Sequence, residues 1–248
     1  MTCYSRAPIA EAVIDLIFDF ESAPDTERLR ALAQHFSNRF PQRHAMNAVG
    51  MTIPLSQEAG EVQGSDAVSY GWRLSNENLT RVVQLRTNGV SYSHLKPYSN
   101  WETFAGEARE IFEAYIHACA PKTAERIAVR YINQIELPQG VDVADYLNIS
   151  ANVPDADGKL PVDITGYFMQ MRIQQSDLGP GFEVIVNSGI GPATNPDQMA
   201  LLLDLDVFVM RSAKPTIKSI YDTLNLLRDR KNQYFEAAIT HSTREMIK

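Results

Sequence analysis

Cysteine is scarce in this chain. Only two cysteines, Cys3 and Cys119, occur among the 248 residues. They form no CxxC pair and have no spacing typical of a metal site, which argues against a disulfide framework and against a metal held by sulfur. The pattern predicts two inert thiols in a reducing compartment.

Long apolar runs are missing as well. No stretch of the sequence approaches the ~18 consecutive apolar residues that a membrane-spanning helix requires. The first residues, from Met1 to Pro8, lack the apolar stretch of a secretory signal. We therefore expect a cytoplasmic protein that makes no contact with a membrane.

Positive charge is in deficit. The chain has 23 Lys and Arg residues against 30 Asp and Glu residues, a net charge of −7. Broad binding to nucleic acid needs a basic surface that releases counterions, so this function class is disfavoured. Glycine and proline, with 13 residues each, are too few for a disordered or fibrous chain. The composition predicts a folded protein of one large domain or two small ones.

Recognised catalytic motifs are also absent. The five histidines are scattered without HxxxH or HExxH spacing, so we predict no histidine metal site. The segment from Val184 to Pro192 resembles the start of a nucleotide-binding glycine loop, but its third glycine is missing and a strand follows at Leu201. We interpret this segment as a plain connecting loop. The sequence therefore predicts no cofactor and no catalytic residue.

The chain does contain strands with one apolar face. Residues alternate between apolar and polar from Ala10 to Phe20, from Glu125 to Leu137 and from Leu201 to Arg211. Because successive side chains of a strand point to opposite faces, this pattern predicts strands that are buried on one side. The other side of these strands carries charge.

The predicted elements occur in the same order twice. The first half has a strand (Ala10–Phe20), a helix (Thr26–Phe40), four strands (Met46–Leu55, Val68–Ser75, Thr80–Thr87, Val90–Leu95) and a helix capped near Asn100 that runs to Ala118. The second half has a strand (Glu125–Leu137), a short helix (Val143–Leu147) capped by Asp142, three strands (Val162–Gln174, Gly181–Asn187, Leu201–Arg211) and a long helix (Ile217–Ile239).

This order predicts an α+β fold rather than a parallel α/β array. We expect two topologically similar β-α-β(n)-α halves, residues 1–120 and 121–248, that form an extended antiparallel sheet with helices on one face. A saddle like that of the TATA-binding protein and a helix-grip fold are the two candidate architectures. One continuous domain is an alternative to two.

Several blocks of the sequence resemble a known family. They are Pro8-Ile-Ala-Glu-Ala-Val, Val83-Gln-Leu-Arg86, Leu95-Lys-Pro-Tyr98 followed by Trp101 and Phe104, and Arg126-Ile-Ala-Val-Arg-Tyr-Ile-Asn133. In this order the blocks look like those of the TIGR04255 family of sporadically distributed bacterial proteins. The resemblance spans nearly the whole chain and implies a prokaryotic origin. A sporadic distribution suggests genes that travel, with defence or toxin–antitoxin functions as the implied setting, but the resemblance supplies no catalytic residues.

The polar faces of the strands hold the candidate site residues. Arg126, Arg130 and Gln134 share one face of their strand, and Asp204 with Asp206, and Glu11 with Asp15, do the same on theirs. The simplest interpretation is a solvated sheet face whose charges pair across strands. The alternative is a recognition surface on which an arginine binds a carboxylate or phosphate of a partner. The candidate binding residues are Glu11, Arg86, Arg126, Arg130, Gln134, Asp204 and Asp206.

Three functions follow as hypotheses, of which noncatalytic binding of a protein or peptide by the charged face is favoured. The first alternative is a metal-dependent hydrolase or nuclease that uses Asp204 and Asp206. The second is a helix-grip cavity that holds a small ligand between the sheet and the last helix. A symmetric homodimer is the default association. The segments Arg228–Lys231 and Thr243–Lys248 are expected to be solvated surface, or else the rim of such a dimer.

Overall fold

The fold is built on one large sheet. The computed structural model describes residues 4–48, 68–151, 164–193 and 195–248. The strands are β1 (Ile9–Asp19), β2 (Gln42–Ala48), β3 (Val68–Ser75), β4 (Arg81–Arg86), β5 (Gly89–Leu95), β6 (Thr123–Pro138), β7 (Phe168–Gln174), β8 (Phe182–Pro192) and β9 (Gln198–Ala213). They form a nine-stranded antiparallel sheet in the order β2-β3-β4-β5-β1-β6-β9-β8-β7.

Four α-helices accompany the sheet: α1 (Thr26–His35), α2 (Trp101–Cys119), α3 (Ile217–Ala238) and α4 (His241–Ile247). A short 3-10 helix covers Val143–Asp145 and is capped by Asp142, as the sequence predicts. Each α-helix begins at a residue whose side chain accepts a hydrogen bond from a backbone N–H of the first turn, which satisfies a donor that the helix leaves unpaired. These N-cap residues are Asp25, Asn100, Thr216 and Thr240.

The two halves of the chain meet at the centre of the sheet, where β1 pairs with β6. On one side of this pair lie β5, β4, β3 and β2, and on the other lie β9, β8 and β7. Each half therefore starts at the centre, moves to the outer edge and returns by antiparallel pairing until its last strand lies beside its first. The strand order repeats, although both halves contribute to a single sheet.

The core lies between one face of the sheet and the helices. Alternate residues of β1, such as Ile14 and Leu16, are fully buried in one hydrophobic cluster with residues of α2, such as Ile111 and Phe112. Helix α1 packs on β3, α2 on β5, and α3 on β6 and β9. The predicted α+β fold, with helices on one face of an extended antiparallel sheet, is confirmed. We call the opposite face of the sheet the open face.

The prediction is wrong at the end of α1 and the start of β2. The helix stops at His35 instead of Phe40, because residues 36–40 form tight turns in which the N–H of Phe40 bonds to the carbonyl of Phe36 at 2.8 Å. Strand β2 starts at Gln42 instead of Met46 and pairs with β3 from its first residue. Residues 49–55 of the predicted strand lie outside the described residues.

The prediction is also wrong for the glycine-containing segment. Strand β8 continues to Pro192, so Gly189 and Gly191 belong to a strand and not to a connecting loop. A Cβ at Gly189 would lie 2.9 Å from the backbone oxygen of Tyr167, so glycine allows the close approach of the neighbouring chain. Strand β7 starts at Phe168, and residues 162–163 of the predicted strand lie outside the described residues.

The C-terminal segment is less solvated than predicted. The long helix ends at Ala238, and Thr240 caps α4, whose Thr243 and Ile247 are buried. Lys231, predicted to be solvated, is only 8% exposed, because it lies on the face of α3 that packs against the sheet. The expectation of a wholly solvated surface at Arg228–Lys231 and Thr243–Lys248 is therefore wrong.

Candidate functional site

All seven predicted site residues lie on the open face. The strand register places Arg130 of β6 opposite Val13 of β1 and Asp206 of β9. Because alternate residues of a strand share a face, Glu11, Arg126, Gln134 and Asp204 lie on the same side. Arg86 of β4 is opposite Gly89 of β5, whose other neighbour is Ile17 of β1. The structure thus brings together residues from four strands that are distant in sequence.

One group of these charges forms a continuous chain of ion pairs, which we call the charge ladder: Arg86, Asp15, Arg126 and Asp206. Arg86 Nη2 donates to Asp15 Oδ1 at 2.6 Å, and Arg126 Nη1 donates to Asp15 Oδ2 at 3.1 Å. Arg126 Nη2 also donates to both oxygens of Asp206, at 3.0 and 2.7 Å. The expected pairing of charges across strands is confirmed, and it links both halves of the chain.

A second group is centred on Asp204. Arg130 Nε and Nη2 donate to the two oxygens of Asp204 at 2.8 and 2.7 Å, the bidentate geometry that guanidinium and carboxylate groups favour. Asn187 Nδ2 donates to Asp204 Oδ2 at 2.8 Å, and Gln170 Nε2 donates to Asn187 Oδ1 at 2.7 Å. These contacts extend the polar network from β6 to the edge strand β7.

The two central arginines differ in accessibility. The Arg126 side chain is 17% exposed, and its guanidinium lies 4.6 Å from the centre of the Phe208 ring. The Arg130 side chain is 46% exposed. Arg126 is thus enclosed by partners of its own chain, whereas one side of Arg130 remains open to a second molecule.

Burial and neighbouring charges shift ionisation in this region. Burial raises the pKa of Asp206, although Arg126 and Arg130 act to lower it. The hydrogen bonds to Asp204 raise the pKa of Arg130. At Asp206 the desolvation of the carboxylate therefore outweighs the opposing effect of the two guanidinium groups.

Two predicted residues, Glu11 and Gln134, lie outside these hydrogen-bond and ion-pair networks of the described residues, although the charge of Glu11 acts on Arg130. Glu11 and Gln134 are half-buried on the open face, and within the described part of the chain neither side chain has a hydrogen bond or an ion pair. Glu11 lies in the row that contains Ile132 and Asp204, and Gln134 lies opposite Leu202 in the next row of that face. This end of the open face therefore presents polar groups that are available for binding.

The paired acids are not arranged as metal ligands. Both oxygens of Asp204 and of Asp206 accept hydrogen bonds from arginines, so a divalent cation would have to displace a guanidinium group. Among the described residues, no three His, Cys, Asp or Glu side chains come together to hold a metal ion. The geometry favours ion pairing over the metal-dependent hydrolase or nuclease.

Cys119 is a free, buried thiol whose pKa burial raises to about 11.

Sequence reasoning missed a polar cluster beneath the sheet. Lys231 Nζ lies 3.9 Å from the centre of the Tyr131 ring, and the Tyr131 hydroxyl shares a hydrogen bond of 2.7 Å with that of Tyr98. Burial and, to a smaller extent, the charge of Arg228 lower the pKa of Lys231 to about 7. The spacing of Lys231, four residues from both Leu227 and Phe235, is the signal that could have placed it on the apolar face.

A second missed group connects α2 to the sheet. The Tyr92 hydroxyl donates to Glu107, and Arg81 Nε donates to the same carboxylate at 2.9 Å. Burial acts to raise the pKa of Glu107, but these two donors outweigh it and the pKa is lowered. The group fixes α2 against β4 and β5, which is a structural role.

The helix-grip hypothesis predicts a cavity between the sheet and α3. The facing residues Ile220, Leu224 and Leu227 are buried in the main hydrophobic cluster instead. One surface groove, of about 530 Å³, lies beside α1 with Trp72 in its lining. Another, of about 380 Å³, lies where the start of α3 meets Phe182 of β8 and Arg211 of β9. Both are open to solvent and mix charges of both signs.

Comparison with known proteins gives no family. No protein family model, curated protein or solved structure matches this chain. The resemblance to the bacterial family stays a prediction. No helix in the described part of the chain is long and apolar enough to cross a membrane.

Proposed function

We propose that the open face of the sheet is a noncatalytic surface that binds a protein or peptide partner. The observation that carries this proposal is the unpaired end of the face, where Glu11, Gln134 and the exposed side of Arg130 lie together. The helices α1, α2 and α3 pack on the opposite side of the sheet.

The chemistry of this surface supports a polypeptide partner. Half-buried apolar side chains, such as Val13, Ile132 and Leu202, alternate with the polar groups. Protein interfaces combine an apolar centre with polar groups that fix orientation, and large antiparallel faces of this kind supply both. Gln134 can donate and accept hydrogen bonds with the backbone or side chains of a partner, and the Glu11 carboxylate can accept them.

The mixed charges of the open face favour a polypeptide partner over nucleic acid. Carboxylates are interleaved with every arginine of the ladder, and the whole chain has a net charge of −7. A phosphate backbone binds to surfaces of uniform positive charge. A partner with charges of both signs fits this surface better.

The first experiment is affinity purification of the tagged protein from its native host, with quantitative mass spectrometry. Wild type is compared with the double variant Glu11→Ala/Gln134→Ala. Because neither side chain has a partner in the described part of the chain, the variant should keep the thermal midpoint of the wild type. A partner enriched by the wild type should be lost, and the purified partner should bind the variant at least about tenfold more weakly.

The matched control is Glu27→Ala/Gln34→Ala, which removes the same two residue types from α1 in the helical layer. Both are exposed on the far side of the sheet. The control should retain the partner. If the control and the open-face variant lose the partner equally, or if neither does, the open face is not the binding surface.

A further inference from the structure

Strand β7 forms one edge of the sheet. On one side it pairs with β8 in unbroken register from Phe168, opposite Gly189, to Gln174, opposite Glu183. On the other side no strand of the described chain pairs with it. The edge therefore presents unpaired backbone groups over seven residues.

The flanking hydrogen bonds show which groups these are. The N–H of Gln175 donates to the carbonyl of Phe182 at 2.8 Å, and the N–H of Ile190 donates to the carbonyl of Tyr167 at 3.1 Å. In an antiparallel pair, residues alternate between bonding to the neighbour and pointing away from it. The odd-numbered residues of β7 thus bond to β8. The outward N–H and C=O groups belong to Phe168, Gln170, Arg172 and Gln174, which are all exposed.

This edge lacks the features that usually block pairing. It contains no proline and no bulge, and its one charged residue, Arg172, forms an ion pair with Glu183 of the adjacent strand. Phe168, at its start, is 73% exposed. The opposite edge, β2, follows Pro41 and has an irregularity in its pairing at Met46, devices that protect an edge strand.

We propose that β7 pairs with the β7 of a second copy of this chain, antiparallel and with a two-fold axis at Met171. In this register Gln170 faces the partner's Arg172 and Phe168 faces the partner's Gln174. All four outward residues then find partners, with two hydrogen bonds for each facing pair. The register is self-complementary, as a two-fold interface requires.

Neighbouring registers fit less well. Moving the axis to Gln170 leaves Gln174 without a facing residue, which loses one pair. Moving it to Arg172 brings two guanidinium groups directly opposite each other, which is destabilising. The axis at Met171 avoids both penalties, and it also faces Met169 with the partner's Ile173, so the half-buried apolar residues on the covered side meet one another.

A two-fold axis of this kind is perpendicular to the sheet and keeps the open faces of both copies on the same side. The dimer would therefore join two nine-stranded sheets edge to edge and present two binding surfaces in one direction. This inference does not depend on the proposed function, since the dimer can form whether or not the open face has a partner.

The first test measures mass in solution by light scattering after size exclusion. Wild type at tens of micromolar should have twice the chain mass of 27.8 kDa. Gln170→Pro removes a central outward N–H without touching the bonds to β8, and it should give a monomer with the circular dichroism spectrum of the wild type. Gln170→Val keeps the N–H and should remain a dimer. A monomeric wild type, or a dimeric Gln170→Pro variant, overturns the proposal.

The second test reads the register with cysteines introduced one at a time in a Cys3→Ser background, in which the remaining Cys119 thiol is buried. Met171→Cys places two thiols across the axis and should form a disulfide-linked dimer under mild oxidation. Met169→Cys, two residues away on the same side of the strand, lies too far from its own copy and should stay unlinked. Crosslinking of Met169→Cys in place of Met171→Cys, or of neither variant, contradicts the proposed pairing. These readouts do not involve the open-face partner.

Discussion

The surroundings of charged side chains differ between the two faces of the sheet. On the open face the central charges are paired across strands, so that Arg126 alone contacts both Asp15 and Asp206. On the covered face Lys231 is buried against Tyr131 and forms no ion pair within the described part of the chain, although the charge of Glu236 acts on it. We infer that the ion pairs of Arg126 stabilise the fold, whereas the burial of the Lys231 charge destabilises it.

Replacing Lys231 should give the largest effect. Its native pKa of about 7 lies well below the ordinary value of 10.5, so the unfolded chain holds a proton between these pH values that the native chain lacks. Stability should therefore rise with pH from about 7 to about 10.5. Lys231→Met should stabilise the protein by about 3 to 5 kcal/mol at and below neutral pH and remove this pH dependence. Denaturant unfolding at several pH values measures both.

Lys231→Arg is the control, since it keeps a cation at the same position. It should not stabilise the protein. A Lys231→Met variant that is less stable than the wild type at pH 7 would show that the contact with Tyr131 outweighs the cost of burying the charge.

Removing Arg126 should give the next largest effect, with the opposite sign. Arg126→Ala leaves Asp15 and Asp206 on the open face without the cation that joins them, and we expect a loss of about 3 kcal/mol. Because burial raises the pKa of Asp206, lowering the pH should protonate this carboxyl group and so reduce the loss. Thermal unfolding between pH 3 and pH 8 provides the measurement, and Arg30→Ala, at an exposed residue of α1, is the control. A loss that is equal at both ends of this pH range would mean that packing on Phe208, not charge, is responsible.

The hydroxyl of Tyr92 should give the smallest of these effects. Tyr92→Phe removes one donor to Glu107 but leaves Arg81 in place, so we expect a loss of about 1 kcal/mol. The low pKa of Glu107 should also move toward its ordinary value, which an NMR titration of the carboxyl carbon detects. An unchanged pKa would show that Arg81 alone sets the ionisation of Glu107.

Much of the fold could be predicted because the central strands carry a strong local signal. In β1 and β6 apolar residues alternate with polar ones, since one face is buried and the other is open. Strand β2 lacks this signal because it lies at an edge and its residues are largely exposed. The sequence pattern therefore predicts its start at Met46 instead of Gln42. In β8 the glycines suggest a loop, although Gly189 lies in a strand and allows a close approach of the neighbouring backbone.

The candidate site could be predicted only as a set of residues. The period of two placed Arg126, Arg130 and Asp204 on polar faces, but which charges meet depends on the register between strands far apart in sequence. No local pattern encodes that register. Lys231 is a different case, because its charge suggests solvent while its spacing on α3 indicates the core.

The position of β1 has a consequence for synthesis on the ribosome. This early strand ends up between β5 and β6, near the middle of the finished sheet. While the nascent chain extends only as far as α2, one side of β1 has no neighbour, because β6 has not yet been translated. An edge of this kind invites pairing with other chains, so the interval before β6 emerges is when the growing protein is most exposed to aggregation.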